Sequence, residues 1–258
     1  MTTSQDLRPT VAIADPDVGE REMAGVRDVL ASGQLSAGET VQSFEAEFAS
    51  YCGVDHGVAT SNGTTALHTA LEALDLGEGD TVLTTPLSFI ATANAIRLAG
   101  AEPAFADVNP STYNLDPSAV EAKIRSLDGD VDAILAVHLY GLPAPMDRLR
   151  EVADRYDVPL IEDAAQAHGA EFDGDRVGSL GDVACFSFYP TKNMTTGEGG
   201  MITTDRADVA ERAAAFINHG RDDENRIPHA DDRIERDDHV TIIGRTEAVR
   251  EAIDYFTA

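Results

Sequence analysis

Lys192 is one of two lysines in 258 residues, the other being Lys123; arginine supplies the remaining positive side chains apart from histidine. A guanidinium keeps its proton, whereas an amine can lose it and form an imine with a carbonyl compound. A lysine retained in such a chain therefore points to amine chemistry. It stands in Phe186-Ser-Phe-Tyr-Pro-Thr-Lys192-Asn, and the run Thr195-Thr-Gly-Glu-Gly-Gly200 follows. That glycine-rich stretch either brings backbone close to a ligand or simply joins two strands. Ser187 precedes the lysine by five residues, so its hydroxyl can meet an anion while the amine reaches back to a carbonyl.

Asp163 comes directly after the apolar run Val158-Pro-Leu-Ile161, where an unpaired carboxylate is costly. It needs a partner, either an arginine, the N-terminus of a helix it caps, or a protonated pyridine nitrogen. The last of these pairings turns pyridoxal phosphate into an electron sink. Gln166 is expected one helical turn on, facing the same side and within reach of a ring oxygen. Ser61-Asn-Gly63-Thr64-Thr65 supplies a glycine turn, hydroxyls and free N–H groups, which suits a phosphate and equally suits an ordinary helix cap. Phe89 can stack on an aromatic ring or serve as a core residue. His138, His168 and His219 lie at element ends without metal-ligand spacing, so no metal is expected. The chain has no GxSxG and no GxGxxG, which argues against serine hydrolases and dinucleotide binders.

The elements that must position these groups alternate in kind. Short apolar or β-branched runs occur at residues 56–60, 81–84, 103–106, 131–137, 158–161, 183–188 and 201–204. Between and after them fall amphipathic stretches at 64–74, 90–99, 117–126, 146–156 and 207–217. Two helices precede the series, one from Asp17 to Ala31 with apolar positions at helical spacing and one from Thr40 to about Tyr51. This is an α/β pattern, predicting a mostly parallel sheet with helices on both faces and ligands at the carboxyl ends of its strands.

Asp and Glu outnumber Lys and Arg by 46 to 19, a formal net charge of -27, which would repel a phosphate backbone and excludes nucleic acid as a natural partner. The acids are spread along the chain apart from a cluster at 222–238, as in a surface kept solvated by a halophilic cytoplasm. At 43 % hydrophobic residues the chain can bury a real core. No signal peptide or membrane-spanning run is recognisable, so a soluble, cytoplasmic protein is expected. Cys52 and Cys185 are read as reduced packing residues.

Taken in order, Asp15-Pro-Asp-Val-Gly-Glu, Ser61-Asn-Gly-Thr-Thr-Ala-Leu-His, Pro86-Leu-Ser-Phe-Ile-Ala-Thr-Ala-Asn-Ala-Ile, His138-Leu-Tyr-Gly, Ile161-Glu-Asp-Ala-Ala-Gln-Ala-His and Phe186-Ser-Phe-Tyr-Pro-Thr-Lys-Asn resemble the DegT/DnrJ/EryC1/StrS family. These are pyridoxal-phosphate-dependent sugar aminotransferases of the aspartate aminotransferase fold (fold type I). The resemblance covers about residues 7–221. It implies that Lys192 joins the cofactor's aldehyde and moves the proton during catalysis, and that Asp163 pairs with the pyridine nitrogen. It also implies Gln166 beside the ring oxygen, Phe89 over the ring, and Gly63, Thr64, Thr65 and Ser187 around the phosphate. The reaction implied passes an amino group from an amino acid, commonly glutamate, to a keto group of a nucleotide-linked sugar, in a homodimer.

Residues 1–221 are thus read as the large, cofactor-binding domain, with the family's small C-terminal domain absent. Residues 222–258 read as an acidic linker followed by a strand (Val240 to Ile243) and a helix (Thr246 to Phe256), similar to the end of a TrkA C-terminal domain. A fused or frame-disrupted gene would give this pattern. Two alternatives stay open: a truncated paralogue that keeps the cofactor-binding fold without turnover, and a different pyridoxal enzyme on the same fold.

Overall fold

The computed structural model describes residues 14–220. The readings made for residues 222–258 lie outside the described residues. In chain order the elements are α1 (Glu20–Ser32), α2 (Glu39–Cys52), β1 (His56–Thr60), α3 (Gly63–Ala73), β2 (Thr81–Thr84), α4 (Ala91–Leu98), β3 (Glu102–Phe105), α5 (Pro117–Ser126), β4 (Ala133–Val137), α6 (Met146–Tyr156), β5 (Leu160–Asp163), β6 (Glu171–Phe172), β7 (Asp175–Arg176), β8 (Val183–Ser187), β9 (Gly200–Thr204) and α7 (Ala207–Ile217). Seven strands form one sheet in the order β1-β9-β8-β5-β4-β2-β3, and β6 and β7 make a separate hairpin. Only β9 runs against its neighbours. All other pairings within the seven-stranded sheet are parallel, so β1, β2, β4, β5 and β8 end on the same side.

Central strands β4, β5, β8 and β9 are buried along their whole length, as expected of a sheet covered on both faces. Their side chains alternate between two sets of partners. Leu135, Val137, Ile161, Val183 and Cys185 pack with Leu67, Leu71 and Ile96 of α3 and α4 and with Val209 of α7. Ile134, Ala136 and Leu160 pack with Ile124, Leu149 and Val152 of α5 and α6. Ala184 and Phe186 join Phe48, Ala49 and Cys52 of α2 in a third cluster. Local signals fix the helix ends. Gly33 closes α1 in the left-handed conformation at φ 77°, and Asp116 caps α5 ahead of Pro117.

Two details depart from the sequence reading. Strand β5 starts at Leu160 and includes Asp163, so this carboxylate is the last residue of the strand. Alternation then sends it to the α3/α4 face, with Ile161, while Glu162 faces the other way with Leu160. No helix follows; residues after Asp163 form turns, so Gln166 reaches the site without the helical turn expected of it. Helix α1 forms as expected, yet none of its residues is buried among the described residues. No helix of the described residues is long and apolar enough to cross a membrane.

Candidate active site

The end of β1 turns through Ser61 and Asn62 into α3. Asn62 Oδ1 accepts the Thr65 N–H at 2.9 Å, and Thr65 Oγ1 accepts the Asn62 N–H at 3.0 Å, a reciprocal cap that fixes the helix start. Thr65 Oγ1 also donates to the Asn62 carbonyl at 2.8 Å. Both donors of Thr65 are therefore spent on Asn62, and its share in an anion cradle is smaller than the sequence suggested. Gly63 and Thr64, at the first two helical positions, keep their N–H groups free for a ligand.

Opposite them stands Ser187. Gly200 pairs with Thr60 on one side and with Ser187 on the other, which sets β8 one strand away from the turn after β1. A Cβ on Gly63 would lie 2.7 Å from Ser187 Cβ, so the close approach of α3 to β8 requires glycine there. The Ser187 hydroxyl thus faces the open end of α3, whose positive dipole end favours an anion.

Asp163 lies across the same space. Its Oδ2 accepts from Thr92 Oγ1 at 2.7 Å and its Oδ1 from the Ala165 N–H at 3.3 Å. Burial pushes this carboxyl above its ordinary value, while those two hydrogen bonds and the charge of Lys192 pull the other way. No salt bridge among the described residues reaches it. A buried acid held only by neutral donors is the partner that a protonated ring nitrogen requires.

Gln166 Oε1 accepts the Tyr140 N–H at 2.7 Å. Because a backbone N–H can only donate, the oxygen of the carboxamide is fixed there, and its amino group is left for the cavity. Tyr140 adopts the left-handed conformation (φ 53°, ψ 26°) in the short turn after β4. Lys192 is half-buried in the turn after β8, with its N–H donated to the Tyr189 carbonyl at 2.9 Å. Phe89 is 67 % exposed and is no part of the core, which leaves its ring face available.

All eight residues singled out from the sequence, Gly63, Thr64, Thr65, Phe89, Asp163, Gln166, Ser187 and Lys192, line one cavity of about 770 Å³. The donor set fits pyridoxal phosphate: an anion cradle at α3 and Ser187, a buried acid at Asp163, an amine at Lys192 on the same cavity, and an aromatic side chain on the wall. Sequence reasoning missed Ser88 and Thr92. Their spacing of four residues, from the bend before α4 to its first turn, was the available signal. Of the histidines, His138 is fully buried behind the site. Its Nδ1 accepts the Ala144 N–H at 3.0 Å, so Nε2 carries the proton and donates to Glu162 Oε2 at 2.9 Å. His168 does not line the cavity; its two ring nitrogens are buried without a hydrogen-bond partner.

The sheet order and the helices on its two faces define the aspartate aminotransferase fold, fold type I. Among solved structures, an aminotransferase from Psychrobacter cryohalolentis superposes with a TM-score of 0.79 at 38 % identity, over 84 % of this chain and 56 % of that one. The PLP-form of the sugar aminotransferase Spr1654 from Streptococcus pneumoniae gives 0.76 at 27 % identity, over 81 % and 58 %. By sequence, GDP-perosamine synthase from Caulobacter vibrioides is 43 % identical over 219 residues, 84 % of this chain and 58 % of that protein. Residues 16–234 match the profile of the DegT/DnrJ/EryC1/StrS aminotransferase family, and the chain belongs to that family. It spans about half the length of the curated relatives it matches.

Proposed function

We propose that residues 1–221 form the cofactor-binding domain of a pyridoxal-phosphate-dependent aminotransferase that moves an amino group from an amino acid, glutamate by preference, to a keto group of a nucleotide-linked sugar. The convergence of Lys192, Asp163 and the open end of α3 on one ring-sized cavity carries this reading. Relatives named for sugar amination support the substrate class.

When bound, pyridoxal phosphate supplies an aldehyde and an electron-accepting ring. Gly63 and Thr64, through their N–H groups, and the Ser187 hydroxyl hold the phosphate. The Asp163 carboxylate keeps the proton on the pyridine nitrogen. The Gln166 amino group, aimed by Tyr140, would donate to the ring oxygen, and Phe89 would cover the ring and exclude water. Lys192 would join the cofactor's aldehyde through Nζ, and as a free amine it would take the proton from the donor's α-carbon and give it back to complete the transfer.

The same reading extends to assembly and setting. Leu87, Ile90, Tyr140, Leu142, Tyr189 and Met194, on the segments that carry the cavity's residues, leave apolar surface exposed. A second copy of the chain would cover it and make the site a boundary between subunits. The excess of acidic over basic residues suits a halophilic cytoplasm, where salt screens self-repulsion.

Purified protein mixed with pyridoxal phosphate is expected to show a visible band that borohydride fixes onto the Lys192 peptide, and glutamate is expected to bleach it. Absence of the band, or label on another residue, refutes the assignment. A band unaffected by glutamate or other amino acids would mark a binding domain without turnover.

A further inference from the structure

We infer that Thr92 is a positioning residue for Asp163, and that Ser88 and Thr92 form a hydroxyl relay which holds that carboxylate charged and aimed into the cavity. The inference rests on the pyridoxal-phosphate reading of the site, since that is where a charged Asp163 is needed.

Thr92 is buried in the first turn of α4, 71 residues from Asp163 in sequence, and its Oγ1 donates to Asp163 Oδ2 at 2.7 Å. A hydroxyl has one proton. With that proton committed to the carboxylate, Thr92 Oγ1 can only accept from Ser88 Oγ, 2.6 Å away. Ser88 lines the cavity, so the donors run in one direction, from the cavity wall through Thr92 to the acid. A neutral Asp163 would remove the reason for that direction, because its own O–H could donate to Thr92. The ordered relay is therefore matched to the ionised acid, and bonds to a charged acceptor are the strong ones.

Other groups around Asp163 do less to fix it. His138 at the end of β4, whose Nδ1 accepts the Ala144 N–H, brings no charge, and Lys192 beyond β8 acts through charge. Ala165 in the next turn makes a longer bond, at 3.3 Å. Glu162 on the same strand points to the opposite face, and Cys185 on β8 stays a neutral thiol because burial pushes it well up. Burial favours the neutral acid, and the Thr92 hydrogen bond is the largest influence against it. Packing alone would be served as well by valine, whose shape matches threonine, so a hydroxyl here has an electrostatic use.

The test uses the full chain with Thr92→Val, Thr92→Ser and Ser88→Ala. In cofactor-free protein, the Asp163 carboxyl is followed by carbon NMR across pH and assigned by its loss in Asp163→Asn. Its titration is expected to move upward in Thr92→Val, to stay in place in Thr92→Ser, and to move by less in Ser88→Ala. In a spectroscopic titration the Kd for pyridoxal phosphate is expected to rise about tenfold in Thr92→Val and to stay within about twofold in Thr92→Ser. An unchanged Asp163 titration in Thr92→Val overturns the inference. If that variant does not fold, an unchanged titration in Ser88→Ala does so. Failure of the unaltered protein to bind pyridoxal phosphate would refute the proposed function instead, while the cofactor-free titration would still decide the relay.

Discussion

Replacing His168 with phenylalanine should flatten the acid side of the stability profile. The imidazole sits among aromatic rings, with centroids 5.3 Å from Phe186, 5.4 Å from Phe188 and 6.4 Å from Phe48, and its nitrogens have no partner. Burial, with a smaller push from the Lys192 charge, lowers its pKa from 6.5 to about 4; the Ser187 backbone opposes this weakly without making a hydrogen bond of good geometry. An unfolded histidine takes up its proton as pH falls through about 6.5, whereas the folded one stays neutral until near pH 4, so the unfolded state binds more protons across that window. Stability is therefore lost on acidification between those limits, by about 3 kcal/mol at most, given 1.36 kcal/mol for each pH unit of displacement. Urea unfolding of the unaltered protein and of His168→Phe, run in parallel from pH 7 to pH 4.5, isolates this contribution. Carboxylates titrate alike in both proteins, so the difference between the two curves reports the histidine. A steeper loss on acidification in the unaltered protein is expected. Parallel curves would refute the reasoning and place a proton on His168 in the folded state.

Three further outcomes follow from the packing. Gly63→Ala forces the start of α3 away from Ser187 and should cost about 1 to 3 kcal/mol in thermal unfolding, with weaker uptake of pyridoxal phosphate. Unchanged stability and uptake would mean that the approach of α3 to β8 is loose. Glu162→Ala strips the acceptor from the N–H groups of Gly178, Leu180 and Gly181 and from His138, and should cost about 3 to 5 kcal/mol by denaturant titration. A loss under about 1 kcal/mol would contradict that reading of the network. Phe89→Ala should leave the unfolding midpoint of cofactor-free protein within about 0.5 kcal/mol of the original, because the ring is exposed, while reducing affinity for pyridoxal phosphate. A large fall in stability would return Phe89 to the core.

The strand ends were legible because fully buried parallel strands leave apolar runs such as Ala133 to Val137, and turn residues break those runs sharply. Lys192, Asp163 and the turn at Gly63 stood out for the same reason: each is a chemically distinct residue at the close of such a run. Boundaries slipped where a polar residue ends a strand, as at Asp163, since a carboxylate looks like the start of a loop. Helix α1 carries a regular apolar spacing yet buries none of it, because spacing reports which side a helix presents and says nothing of what covers that side. Thr92 was missed because its partner is 71 residues distant, and hydrogen bonds across a fold leave no periodic trace. The His138–Glu162 pair was hidden likewise; it depends on the register that sets Val137 beside Asp163.

The position of β9 between β1 and β8 bears on how the protein is made. Emerging from the ribosome, His56 to Thr60 have no neighbour to join until Gly200 to Thr204 follow, because those residues bridge them to the rest of the sheet. The cradle between α3 and Ser187 therefore cannot close before β9 has been made. Until then the strand and its helix leave apolar surface uncovered, which exposes the nascent chain to aggregation and makes its folding slow.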